Sequence, residues 1–153
     1  MSEQQLFDQL CDQEDRLVFD HFSNQMAFDL GQKLLSVGLE RKLAIAIDVT
    51  RSGQCLFHAA LEGATPDNAE WIQRKMRVVQ RFQHSSLYMG VLCRLQGTTL
   101  EEKFLVPEHT YAAHGGAFPI RLRNTGVVGS VTVSGLPQLE DHALVVEVLE
   151  GLL

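Results

Sequence analysis

The spacing of apolar residues changes period several times along the chain. After Ser23, the residues Met26, Leu30, Lys33, Leu34 and Val37 recur at helical spacing, and Gly38 stands near the stop. The N-terminal part up to about Arg41 therefore reads as helical. The period then shortens. LAIAIDV, residues 43–49, is a continuous apolar run of strand length, which predicts a strand covered on both faces. Arg51, Ser52, Gly53 and Gln54 supply turn residues, and QCLFHAAL follows as the hairpin partner.

A second helix begins with Thr65 as N-cap, Pro66 at the first helical position and Asp67 where the helix dipole favours an acid. DNAEWIQRKMRVVQRF continues it, and SSLYMGVLCRL follows as a shorter helix. Residues 96–110 read as a loop with a helical turn at 99–103. AFPIRLRN and GVVGSVTVSG form a second hairpin around Asn124, Thr125 and Gly126. Phe118, Ile120 and Leu122 alternate with Pro119, Arg121 and Arg123, and Val127, Gly129, Val131 and Val133 alternate with Val128, Ser130, Thr132 and Ser134. Each strand thus has one apolar and one more polar face, as antiparallel strands do. A last helix starts near Pro137. The order helix, hairpin, helices, hairpin, helix predicts a single α+β domain over 1–153, with a mainly antiparallel sheet covered by helices.

Charge narrows the function classes. Nineteen acidic and thirteen basic side chains give a formal net charge of −6. That balance argues against partners that reward cations, so neither nucleic acid nor a membrane surface is expected. The opening MSEQQLFDQL is polar and acidic, so no signal peptide is expected. The apolar runs fall far short of the ~20 residues of a membrane span. Cys11, Cys55 and Cys93 lie far apart without a CxxC, which points to neither a disulfide framework nor a zinc site and makes a reducing cytoplasm the expected location.

Three segments carry a resemblance: LFHAALEGATPDNAEWIQRKMRVVQRFQHSSLYMG, YAAHGGAFPI and GVVGSVTVSGLPQLEDHALV. They resemble a small sequence family related to the GlcG/HbpS-like group, often labelled "haem-degrading domain", over nearly the whole chain. The resemblance implies a helix-covered antiparallel sheet, broadly profilin-like. It also implies a homo-oligomer and haem or a related tetrapyrrole as a ligand.

Three constellations could carry chemistry. In the AHGG loop, Gly115 and Gly116 let a ligand or another backbone approach, and His114 can ligate iron or exchange protons near neutral pH; the same residues would also serve as a tight corner before a strand. At the last helix, Asp141 and His142 start otherwise apolar stripes, Asp141 leading into Val145, Val148 and Leu152, and His142 into Val145, Val146 and Leu149. Both should sit at the rim of something buried and need a partner there. In the Trp71 helix, Glu70, Arg74, Arg77 and Arg81 share a face beside Trp71, Lys75, Val78 and Phe82. The arginines could hold a carboxylate or phosphate, or pair with the acidic last helix.

There is no GxSxG, HExxH, P-loop or Rossmann fingerprint. His58, His114 and His142 could hold a metal only if the fold converges them; none is expected from spacing. His21, His84 and His109 carry no motif.

The leading expectation is a cytoplasmic homo-oligomer that binds a small anionic organic ligand. His114, Gly115, Gly116, Arg74, Arg77 and His142 would form the site. One alternative is an enzyme using His114 or His142 as acid and base with Asp141 orienting it. Another is an assembly module without a small ligand.

Overall fold

Ser2 opens helix α1 (Glu3–Arg16): its hydroxyl accepts from the Gln5 N–H, and the Gln5 side chain accepts in return from the Ser2 N–H. Ser23 caps α2 (Asn24–Glu40) in the same way, accepting from the Met26 N–H. The N-terminal helical region is thus two helices. Residues 17–22 leave the helix because they are used elsewhere: the Phe19 N–H donates to Arg121 and the Phe19 carbonyl accepts from Arg123, which ties this segment to the second hairpin.

The computed structural model describes residues 1–153. After α2 come β1 (Ala46–Arg51), β2 (Gln54–Ala60), α3 (Pro66–Phe82), α4 (Ser86–Leu95) and α5 (Leu100–Phe104). β3 (Ala117–Leu122), β4 (Gly126–Ser134) and α6 (Gln138–Leu152) complete the chain. The fold is α+β, as the periodicity predicts. The helical turn expected at 99–103 is α5, and β1 begins three residues into the predicted apolar run.

The strands form one antiparallel sheet in the order β2-β1-β4-β3. The central pairing sets Ile47 opposite Val133, Asp48 opposite Thr132 and Thr50 opposite Ser130. Because cross-strand partners share a face, apolar and polar residues separate into two rows. Ile47, Val49, Phe118, Ile120, Val131 and Val133 pack against Leu30 and Leu34 of α2 and Val145, Val148 and Leu149 of α6. That is the main core, and each such side chain contributes roughly 1.5–3 kcal/mol by burial.

The second row is not the solvated face that alternation usually implies. Asp48, Thr50, Ser130, Thr132 and Ser134 are all buried, because α3 lies over them with Ile72, Lys75, Met76 and Val79 on its inner side. A smaller core of Val78, Met89, Cys93, Leu100 and Val106 joins α3, α4 and α5. No helix is long and apolar enough to cross a membrane.

Candidate functional site

At one end of the polar layer, the openings of α3 and α6 meet the loop that leads into β3. Pro66 starts α3, and the Asn68 carboxamide accepts from the Thr65 N–H at 2.8 Å. Pro137 precedes α6. The loop passes both by means of its two glycines. A Cβ on Gly115 would collide with the Gln138 carbonyl, and the Gly115 N–H donates to Gln138 Oε1 at 3.0 Å. Gly116 sits at φ +140°, where L side chains are strained, and a Cβ there would strike the Val133 carbonyl and stand 2.8 Å from Lys75 Nζ. The glycines exist for close approach.

What Gly116 approaches is a buried ion pair. Lys75 Nζ donates to Asp141 Oδ2 at 3.1 Å and to the Val133 carbonyl at 3.3 Å. The two side chains are 4% and 2% exposed. Asp141 Oδ1 accepts from the Leu136 N–H at 3.0 Å. Burial lowers the Lys75 pKa and raises that of Asp141, while the attraction between them opposes both shifts. An ammonium has three donors. Only two are taken here.

Lys75 forms the floor of a cleft of about 250 Å³ with Asp67, Asn68, Trp71, His114, Ser134, Gln138 and Asp141 around it. The His114 ring meets Trp71 edge-to-face at 5.4 Å, and the Arg74 guanidinium lies 4.5 Å from the Trp71 ring centre. Partial burial, then the charges of Lys75 and Arg74, lower the His114 pKa, so the ring is neutral near pH 7. The site therefore offers one cation, two carboxylates (Asp67 and the Asp141 paired with Lys75), a neutral imidazole, two carboxamides and an indole.

The residues singled out from sequence divide three ways. His114, Gly115, Gly116 and Asp141 come together at this cleft. Arg74 and Arg77 are used structurally: their guanidinium groups donate to the carbonyls of Glu108 (2.8 Å) and Thr110 (3.2 Å), fastening the loop before β3. The arginines of α3 do not meet the acidic edge of α6, where Glu147 pairs with Arg41 and Glu150 with Arg16.

His142 points elsewhere. Its Nε2 lies 2.7 Å from Gln13 Oε1 of α1, and it lines a separate groove of about 570 Å³ between α1 and α6. Burial pushes its pKa down to about 4. No hydrogen bond joins Asp141 to either histidine. His58, at the β2 edge, faces Asp48 at 3.2 Å, so the three histidines do not converge.

Sequence reasoning missed Lys75, the centre of the arrangement. Its signal was present: a lysine in the otherwise apolar Trp71, Val78, Phe82 stripe is a charge that must find a buried partner. It also missed His84, whose Nδ1 lies 2.8 Å from the buried Glu14.

The family model described as "Haem degrading protein HbpS-like" matches residues 22–150. The chain belongs to the HbpS-like family. It is 54% identical over 142 residues to a UPF0303 protein of Streptomyces coelicolor, covering 93% of this chain and 90% of that one. The crystal structure of Ybr137w protein superposes with a TM-score of 0.87 at 39% identity, covering 95% of this chain and 86% of that one. The crystal structure of a PduOC:heme complex shares the fold, with a TM-score of 0.67 at 12% identity, covering 87% and 94%.

Proposed function

We propose that this protein binds a small organic carboxylate in the cleft between α3, α6 and the AHGG loop, and does so as a cytoplasmic homo-oligomer. The observation that carries the reading is the third N–H of Lys75. It belongs to an ammonium 3% exposed at the cleft floor, where an incoming carboxylate gains a charge-assisted hydrogen bond. The openings of two helices border the same cleft, and each brings the positive end of a helix dipole to it. Trp71 and His114 offer flat walls for the ligand's carbon skeleton.

Haem is the ligand to which the family description and the heme-bound neighbour point. The neutral His114 imidazole is chemically suited to iron. The volume is not suited to the whole group: ligand pockets span roughly 300–1,000 Å³, and this cleft measures about 250 Å³. Its size suits a carboxylate-bearing fragment rather than a whole tetrapyrrole. The homo-oligomer is supported by the family resemblance and by Leu139, Leu152 and Leu153, which are exposed on and beside α6. Three free cysteines fit a reducing compartment.

The test is a titration of purified protein with propionate and, separately, with haem, comparing wild type with His114→Ala and His142→Ala. Saturable propionate binding that is weakened in His114→Ala and kept in His142→Ala supports this cleft. A saturable haem shift lost only in His142→Ala would move the site to the α1–α6 groove. Light scattering gives the oligomeric state, and a monomer would overturn that part.

A further inference from the structure

The carboxylate-binding reading uses Lys75 as a fixed cation, yet its surroundings are those of an amine that can react. Asp141 presents Oδ2 to the amine while the Leu136 N–H holds Oδ1, so the carboxylate is oriented for proton exchange with Nζ. On another side of Nζ stands Gly116. Any side chain there would begin 2.8 Å from the nitrogen, so the glycine leaves Nζ uncrowded on that side. Lys75, Asp141 and His114 line the same small cleft.

We infer that Lys75 condenses with the carbonyl carbon of a small 2-oxo acid bound in this cleft to form an imine. The inference rests on the carboxylate-binding reading. In a 2-oxo acid the carbonyl is one bond from the carboxylate, so a ligand whose carboxylate reaches the floor brings its carbonyl to the amine. The positive dipole ends of α3 and α6, which border the cleft, then favour the carboxylate.

The proton inventory closes within the site. Asp141 takes a proton from the Lys75 ammonium, freeing the nitrogen lone pair. The nitrogen bonds to the carbonyl carbon, and a nitrogen-bound proton passes to the former carbonyl oxygen, giving a carbinolamine. Protonated Asp141 returns its proton to that hydroxyl, the C–O bond breaks and water leaves. The product is a protonated imine facing an ionised Asp141, so the buried pair of opposite charges is restored. No oxidant or other reactant is needed. Burial, which shifts both partners toward their neutral forms, favours the first proton transfer.

The experiment is reductive trapping of the full-length protein with pyruvate or glyoxylate and cyanoborohydride, followed by peptide mass mapping. The chain has four lysines, and Lys33, Lys42 and Lys103 are exposed. They serve as internal controls that need no variant. The expected result is an adduct on Lys75, equal in mass to the oxo acid less one oxygen atom, in large excess over the exposed lysines. Propionate in the same tube should suppress it. Labelling of Lys75 no faster than of the other three overturns the inference. If propionate still binds saturably in that case, the imine falls and the binding reading stands; if neither occurs, both fall.

Discussion

On the α2–α6 side of the sheet, Ile47, Val49, Val131 and Val133 bury only hydrocarbon, and on the α3 side their strand neighbours Asp48, Thr50, Ser130 and Thr132 are buried just as completely. The first side is held by transfer of apolar area from water, a non-directional contribution that each side chain makes nearly alone. The charged groups of the second depend on pairing. Asp48 accepts from Thr50 Oγ1 at 2.6 Å and faces His58 at 3.2 Å, and Lys75 meets Asp141. A partner lost there leaves a charge or dipole stranded. The polar side is thus the less forgiving of the two, and its open end is where the cleft lies.

The largest expected effect separates the two sides most sharply. Lys75→Met leaves Asp141 buried without its cation and should lower unfolding free energy by about 3–5 kcal/mol. The double variant Lys75→Met with Asp141→Leu should recover much of that loss, because it removes both charges together. A loss below about 1 kcal/mol in urea unfolding of the single variant, against the same estimate, would show that the pair does not hold α3 to α6. On the apolar side, Leu34→Ala should cost about 2–5 kcal/mol through a cavity, and no second polar change should rescue it. Rescue would end the contrast.

The next effect concerns His142, which sits between Phe118 of the apolar core and Gln13 of α1. Its folded pKa, about 4, lies below the ordinary value of 6.5, so the unfolded chain binds the extra proton first. Stability should be full above pH 6.5 and fall as the pH drops toward 4, by about 3 kcal/mol in total at 1.36 kcal/mol per pH unit. Urea midpoints measured across that range should show the decline in wild type and lose most of it in His142→Gln. An unchanged slope in the variant would place the acid sensitivity elsewhere.

The smallest effect is the most pointed. The hydroxyls of Ser130 and Thr132 are buried with no partner in the chain. Thr132→Val should therefore change stability by no more than about 1 kcal/mol, and in the stabilising direction. A clear destabilisation in thermal unfolding would mean that these hydroxyls support the polar layer.

Much of the fold was legible because its signals are local. Thr65-Pro66-Asp67 marks the start of α3, Ser52-Gly53 and Asn124-Thr125-Gly126 mark the two turns, and the alternation through Val131 and Ser134 assigns the faces of β4. The division of the N-terminal helix was less legible, since residues 17–22 leave it to bond with β3, a hundred residues away. The site was half visible. His114, Gly115, Gly116 and Asp141 were recognisable as loop and helix-start residues under some constraint. His142 adjoins Asp141 in sequence, yet successive helical residues point about 100° apart, and that rotation sends it to Gln13 of α1. Arg74 and Arg77 looked like anion ligands because arginine binds carbonyls and anions with the same donors.

By itself, then, the sequence determined the element order, the antiparallel pairing and the two chemically distinct faces of the sheet, all of which follow from periods of 2 and 3.6 residues and from turn chemistry. Only the tertiary structure decided that α3 would cover the polar face, and that a lysine in an apolar stripe would meet an aspartate 66 positions later. Such meetings depend on how helices cross a sheet. That geometry is set by the packing of whole elements, so the α3 stripe shows that Lys75 needs a buried partner but not which residue supplies it.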